Sequence, residues 1–220
     1  MGAAFKLIIG DKNLSSWSLR PWLCLVQAGA DFDEVVITLN QPTTKAAIVA
    51  LSPNARVPAL HHMPPGAAAV VIAESLAICE YLNEVLPTAG LWPSDRGARA
   101  EARAVSNEMH AGFAALRTHM PMNLCGRFLG VGRAPGVADD IDRITTIWRD
   151  CRARFDARDG GGPFLFGRFS IADAMFAPVV TRLRTYGVDV DPVSMAYCAA
   201  MLALPALKRW EDGARAELSF

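Results

Sequence analysis

The chain has no charge of either sign to spare. Among its 220 residues Lys+Arg and Asp+Glu are each 22, so a global pull toward nucleic acid is not expected. The most basic stretch, RDCRARFDAR (149–158), is interrupted by acids and reads as a solvated helix face. Cysteine is sparse and unpaired. The five residues Cys24, Cys79, Cys125, Cys151 and Cys198 are odd in number and widely spaced, with no C-x-x-C. That suggests neither a disulfide framework nor a zinc site and leaves most of them as small buried hydrophobes. His61, His62 and His110 have no second ligand pair at zinc-like spacing, so no metal is expected. No apolar run approaches the roughly 18 residues a membrane span requires. The opening MGAAFKLIIG, broken by Lys6, is too short to read as a signal peptide. These absences lead us to expect a reduced, cytoplasmic protein with no membrane and no nucleic-acid partner.

What is present is apolar content, 52% of the chain, enough for a sizeable core. The first 86 residues alternate strand and helix signals. FKLIIG (5–10) reads as a buried strand, and WSLRPWLCLVQAGA as a helix closed by Gly29. EVVITL (34–39) is a β-branched strand, and TTKAAIVALSP a short helix that stops before Pro53. RVPAL (56–60) and AVVIA (69–73) flank the turn HHMPPG as a hairpin, and a helix follows from Ser75. The order β-α-β-α-β-β-α predicts an α/β sheet domain over 1–86 with helices packed on it. PTAGLWPSDRG (87–97) reads as a linker. Beyond it strand signals nearly vanish and an all-helical domain is expected over 98–220. Its first helix is predicted over 98–120, with Val105, Met109, Phe113, Leu116 and Met120 on one stripe. Further helices are expected at about 138–158, 170–186, 192–203 and 205–217.

Three short motifs could carry chemistry. In NLSSWSLRPWL (13–23), Pro21 lacks an N–H and is comfortable only in a helix's first turn. That predicts an N-cap near Trp17 or Ser18, with Ser18 as the cap. Ser15 and Ser16 are then left in the preceding turn, beside free N–H groups and the positive end of the helix dipole, where an anion such as a thiolate is stabilised. In SPNARVPAL (52–60), Pro58 cannot donate to a ladder and belongs at a strand entry; a cis bond there would turn the Val57 backbone toward a ligand. In AESLAICEYL (73–82), Glu74 and Ser75 stand where a strand runs into a helix. The Ser75 hydroxyl and the first N–H groups suit a carboxylate, and Glu74 suits an ammonium, the two charges of an α-amino-acid head group. Each motif alone could equally be an ordinary cap or edge proline.

In combination, a turn hydroxyl, then V-P, then E-S, then a helical domain, the chain resembles the cytosolic glutathione S-transferases over essentially its whole length. The resemblance implies a thioredoxin-like first domain that binds glutathione and an all-helical second domain that helps form the acceptor pocket. It implies that Val57 pairs its backbone with the cysteinyl part of glutathione, that Pro58 is cis, and that Glu74 and Ser75 hold the γ-glutamyl group. Arg56 stands where plant-type members carry a glutathione-contacting lysine. No tyrosine precedes Tyr81, which excludes the tyrosine-type classes. Aligning Arg20 and Leu23 with the R-x-R-x-x-L helix of serine-type members puts their serine at Asn13; aligning bacterial cysteine-type members puts their cysteine at Ser15. Ser15, then Ser16, is the expected thiolate contact, with Asn13 a third. Such a serine donates a hydrogen bond that lowers the thiol's pKa and need not act as a base. Without a cysteine there, mixed-disulfide chemistry is not expected.

GRFSIADAMFAPVV (167–180) is similar to the family's capping box and hydrophobic staple, with Ser170 capping Asp173 and Asp173 reaching back. For the acceptor pocket the resemblance suggests Trp17, Met109, Phe113 and Arg117. The implied activity is conjugation of glutathione to a small hydrophobic electrophile by a homodimer. A glutathione-dependent isomerase of the maleylacetoacetate type is an alternative, although such members usually carry SSCS where this chain has NLSS. A non-catalytic regulatory protein on the same fold is another.

Overall fold

A computed structural model describes residues 4–155 and 161–218. Strand β1 (Phe5–Gly10) leads through a tight turn into helix α1 (Ser16–Gln27). Strand β2 (Phe32–Ile37), helix α2 (Thr44–Leu51), the hairpin β3 (Ala59–His62) and β4 (Val70–Ala73), and helix α3 (Ser75–Val85) complete the first layer set. The sheet order is β2-β1-β3-β4, with β1 parallel to β2 and antiparallel to β3. Side chains alternate along β1. Leu7 and Ile9 join Leu19 and Leu23 of α1 and Ile78 and Leu82 of α3 in the main core. Ile8 faces the other way, onto Ile48 of α2 and Ile37 of β2. The sheet is therefore covered on both faces, and the turn between β1 and α1 follows the C-terminal end of a central strand.

The helical part follows a short 3₁₀ turn at Pro87–Ala89: α4 (Arg96–Ala111), α5 (Ala114–His119), α6 (Val137–Phe155), α7 (Ile171–Tyr186), α8 (Pro192–Ala203) and α9 (Pro205–Glu217). The helix expected at 138–158 thus ends at Phe155 within the described residues, and 156–158 lie outside them. Helix α7 is apolar nearly all round and packs on α1, α4 and α8. Its start is held by a capping box between Ser170 and Asp173. The Asp173 carboxylate accepts from the Ser170 N–H at 2.8 Å, the Ser170 hydroxyl at 3.0 Å and the Leu165 N–H at 3.0 Å. Burial, the largest effect on this group, raises its pKa to about 6.

Two expectations about helices are corrected. The single helix predicted over 98–120 is broken. Gly112 ends α4 in extended backbone, and Phe113 turns left-handed at φ 59°. The five stripe residues are buried as expected, but a strict helical period hides a turn in which the chain changes direction. A Cβ on Gly112 would sit 2.8 Å from the Glu108 carbonyl oxygen. Gly112→Ala is therefore expected to lower stability by about 1–3 kcal/mol in denaturant unfolding, through that forced backbone shift.

The N-cap of α1 is also corrected. The helix begins at Ser16, and Ser15 is its N-cap, not Trp17 or Ser18. Pro21 therefore lies in the second turn, not the first. The loss of its hydrogen bond is tolerated because α1 is fixed from outside. Ser18 through Leu25 are buried, and α1 packs on α3 and α7. Side-chain bonding starts the helix one turn early, as described next.

Candidate active site

The turn between β1 and α1 is tied down on three sides. The Asp11 carbonyl accepts from the N–H groups of Leu14 at 3.2 Å and Ser15 at 2.8 Å, and the Asp11 carboxylate accepts from the Leu39 N–H at 2.8 Å. From the helical part, the Trp210 indole N–H donates to the Lys12 carbonyl at 2.8 Å. Asn13, a predicted thiol contact, faces the helical part instead. Its Oδ1 accepts from the Cys125 N–H at 3.0 Å and its carbonyl from the Leu124 N–H at 3.3 Å. It is buried and lines neither of the cavities described below.

Three hydroxyls divide their roles within this turn. The Ser18 Oγ accepts from the Gly10 N–H at 3.1 Å. It lies 2.7 Å from the Ser15 Oγ, which also accepts from the Ser18 N–H at 3.4 Å. When Ser18 donates across that short contact, Ser15 accepts twice and its own proton is free to point outward. Ser16 is half-buried, and among the described residues its hydroxyl has no hydrogen-bond partner.

Two cavities meet at this turn and share Trp17 and Val57. The first, about 210 Å³, is lined by Arg56, Val57, Pro58 and Glu74 together with Trp17 and His110. The Val57–Pro58 peptide bond is cis. Glu74 adopts φ 91°, uncommon for a residue with a Cβ, and caps α3 by accepting from the Leu76 N–H at 3.2 Å. Its carboxylate also lies 3.4 Å from the His110 Nε2. Ser75 is fully buried at the start of α3, and its hydroxyl has no partner among the described residues. The four predicted cavity residues of the V-P and E-S motifs thus converge, while Ser75 stands beneath them.

The second cavity, about 430 Å³, is lined by Ser15, Ser16 and Trp17, by Leu14, Leu39, Pro121 and Met122, and by Arg117 and Arg182. Two of the four residues named for the acceptor pocket do not line this cavity: Met109, on α4, and Phe113, at the turn after it, lie in the main core. Trp17 and Arg117 are on the wall as expected. Arg20 stacks on the Trp17 ring at 4.2 Å and Arg117 at 5.6 Å, while His110 meets its edge at 5.2 Å.

Sequence reading missed His110 and Arg182. His110 read as one more solvated or core histidine, and its place at the end of α4 becomes informative only when α3 packs alongside. Arg182 did carry a signal, the first of two cations, with Arg184, in the otherwise uncharged run FAPVVTRLRTY (176–186). Among the described residues no group of His, Cys, Asp and Glu could hold a metal ion, and no helix is long and apolar enough to cross a membrane.

Comparison with known proteins covers family models, curated relatives and solved structures. The sequence model for the glutathione S-transferase N-terminal domain matches residues 14–85, and that for the C-terminal domain matches residues 99–213. A probable maleylacetoacetate isomerase of Caenorhabditis elegans is 25% identical over 185 residues, 82% of this chain and 79% of the relative. A maleylpyruvate isomerase of Ralstonia sp is 27% identical over 206 residues, 89% of this chain and 92% of the relative. Among solved structures, a glutathione transferase homolog from Burkholderia gl BGR1 with bound glutathione superposes at TM-score 0.70 and 24% identity, covering 96% of this chain and 98% of that one. Glutathione transferase Omega 2S from Trametes versicolor superposes at TM-score 0.71 and 19% identity, covering 100% and 96%. At these identities the two structures establish the fold alone.

Proposed function

Because the chain belongs to the glutathione S-transferase family, we propose that the smaller cavity binds glutathione and that Ser15 holds its thiolate at the mouth of the larger one, where the acceptor sits. The observation that carries this reading is the hydroxyl pair. Ser18, fixed by the Gly10 N–H, lies 2.7 Å from the Ser15 oxygen, and when Ser18 donates across that contact the Ser15 proton is left free beside the larger cavity. A hydrogen bond to the charged form of a thiol lowers its pKa, and a donor already in place needs no reorganisation when charge develops. Bound glutathione supplies the nucleophilic sulfur. The chain's own residues orient it and exclude water. Glu74 is placed to accept from the γ-glutamyl ammonium, the Val57 backbone to pair with the cysteinyl amide, and Arg56, exposed on the rim, to meet a terminal carboxylate. Ser75, with an unpartnered buried hydroxyl at a helix start, suits the γ-glutamyl carboxylate.

Glu74→Gln is expected to raise the KM for glutathione about tenfold or more with kcat largely retained, since the lost ion pair serves binding in ground and transition states alike. Steady-state kinetics at saturating acceptor check this. Calorimetry with glutathione tests the wider reading. Binding supports it, and absence of heat and of competition would leave the fold with a non-catalytic role.

A second reading, isomerisation in which glutathione is returned unchanged, is supported by the isomerase relatives, which match along most of their own length. Both readings use the same thiolate site. The ratio of glutathione consumed to product formed separates them, being one for transfer and zero for isomerisation.

A further inference from the structure

Lys12, in the turn just before Ser15, has each of its polar groups held by a distant element. Its N–H donates to the Glu217 carboxylate at 2.8 Å, and its carbonyl accepts from the Trp210 indole N–H at 2.8 Å; both partners stand on α9. Its ammonium pairs with Glu34 of β2 at 2.6 Å and lies 5.9 Å from the centre of the Trp210 ring. The same Glu34 accepts from the Trp22 indole N–H at 2.7 Å, and Trp22 meets Trp210 edge to face at 5.1 Å. The fit extends to the lysine stem. Gly213 stands inside α9, where glycine weakens a helix. A Cβ there would lie 2.7 Å from the Lys12 Cδ, so the glycine makes room for the lysine.

Helix α9 contributes no residue to either cavity of the site. Anything it does for the reaction must therefore pass through the turn. The bonds from the Leu14 and Ser15 N–H groups to the Asp11 carbonyl fix the turn's shape. Its tip is held against the rest of the molecule by the Lys12 contacts and by the bonds between Asn13 and the backbone of Leu124 and Cys125. A hydrogen-bond donor loses effect when it is displaced by about 0.5 Å or tilted by roughly 10–20°.

We infer that Glu217 and Trp210 of α9 are positioning residues for the reaction: through the Lys12 backbone they hold the β1–α1 turn where the Ser15 hydroxyl meets the thiolate. The inference rests on reading Ser15 as the thiolate contact. Neither residue lines a cavity, so their loss weakens thiolate stabilisation and leaves glutathione binding nearly unchanged. A packing role alone would lower stability and leave the thiol as it was. Glu211, also on α9, supplies the contrast. Its ion pairs are with Arg184 of α7 at 2.7 Å and Arg215 of its own helix at 3.6 Å.

The test compares Glu217→Ala, Glu217→Gln, Trp210→Phe and Glu211→Gln in the full-length protein. It reads the thiolate absorbance of bound glutathione against pH, glutathione affinity by calorimetry, and denaturant unfolding. Glu217→Ala is expected to raise the bound thiol's pKa by about half a unit, which cuts the thiolate fraction about threefold on the acid side of the titration. Affinity for glutathione measured below that pKa should change by no more than about twofold. Glu217→Gln keeps an oxygen for the Lys12 N–H and should return most of the shift. Trp210→Phe keeps an aromatic ring and loses the donor to the Lys12 carbonyl. It should move the thiol in the same direction, and it carries the test if Glu217→Ala fails to fold. Glu211→Gln is expected to lower the unfolding midpoint and leave the thiol pKa at its wild-type value. An unchanged thiol pKa in folded Glu217→Ala or Trp210→Phe overturns the inference. So does an equal shift in Glu211→Gln, which would make the effect a general result of loosening α9. A shift that Glu217→Gln fails to reverse would trace to the carboxylate's charge and not to the turn's position, and also counts against it. If the wild-type bound thiol titrates like free glutathione, the Ser15 reading falls and takes this inference with it.

Discussion

Ser15→Ala is expected to lower kcat/KM for glutathione-dependent turnover roughly a hundredfold, the scale for removing one preorganised donor from a developing or resident anion. The substitution deletes the only atom of that residue that can donate a side-chain hydrogen bond toward the sulfur. It leaves the V-P and E-S contacts in place, so glutathione affinity should change far less than rate. Ser18→Ala should produce a smaller loss of the same kind, because Ser18 touches Ser15 at 2.7 Å and anchors it to the Gly10 N–H without itself lining the cavity. Ser16→Ala provides the contrast. Its hydroxyl also lines the larger cavity, so a greater loss there than at Ser15 would transfer the thiolate contact to Ser16. Since Ser15 also caps α1, some stability is lost with it, about 0.5–2 kcal/mol. Measuring rates well below the unfolding temperature separates that loss from the chemical one.

The second large effect concerns folding. Asp173→Ala is expected to destabilise the protein by roughly 3–5 kcal/mol, because it strands three buried donors, the N–H groups of Leu165 and Ser170 and the Ser170 hydroxyl. The residue stands at the start of α7, the helix against which α1, α4 and α8 pack, so the loss is expected to reach the turn between β1 and α1 through α1. A pH signature accompanies it. The native carboxyl has a raised pKa, about 6 against an ordinary value of 3.8, so between those values the folded state binds more proton than the unfolded one. Stability from this group therefore falls as pH rises from 3.8 to about 6, by an amount on the order of 2–3 kcal/mol, and is flat above. Denaturant unfolding across that range should show the fall in the wild type and its absence in Asp173→Ala.

The convergence of the candidate site's motifs is legible in the sequence because it depends on unusual backbone chemistry that only particular residues tolerate or supply. A proline after Val57, a Glu-Ser pair between a strand and a helix, and a serine-rich turn before the first helix are each weak alone, and their order makes them specific. What was not legible depended on packing. Pro21 argued by local rules for a later helix start, but a side-chain relay from Gly10 through Ser18 to Ser15 fixes the first turn earlier, and a buried helix face overrides one missing hydrogen bond. The apolar stripe from Val105 to Met120 kept its period across Gly112–Phe113, so the break between α4 and α5 gave no periodic signal. Asn13 shows the same limit. Its side chain is drawn to the backbone of Cys125, more than a hundred residues away in sequence, which no local pattern could indicate. The two cations lining the larger cavity, Arg117 and Arg182, come from α5 and α7 and are brought together only by packing.

The measurement that bears most directly on the account is a pH titration of the thiolate absorbance of glutathione bound to the wild type and to Ser15→Ala. The account predicts a bound thiol whose pKa lies at least one unit below that of free glutathione in the wild type and returns most of the way in the variant. A one-unit shift corresponds to about 1.4 kcal/mol of preferential interaction with the charged form. A bound thiol that titrates like the free one, or one whose lowered pKa is unchanged by the loss of the Ser15 hydroxyl, would contradict it.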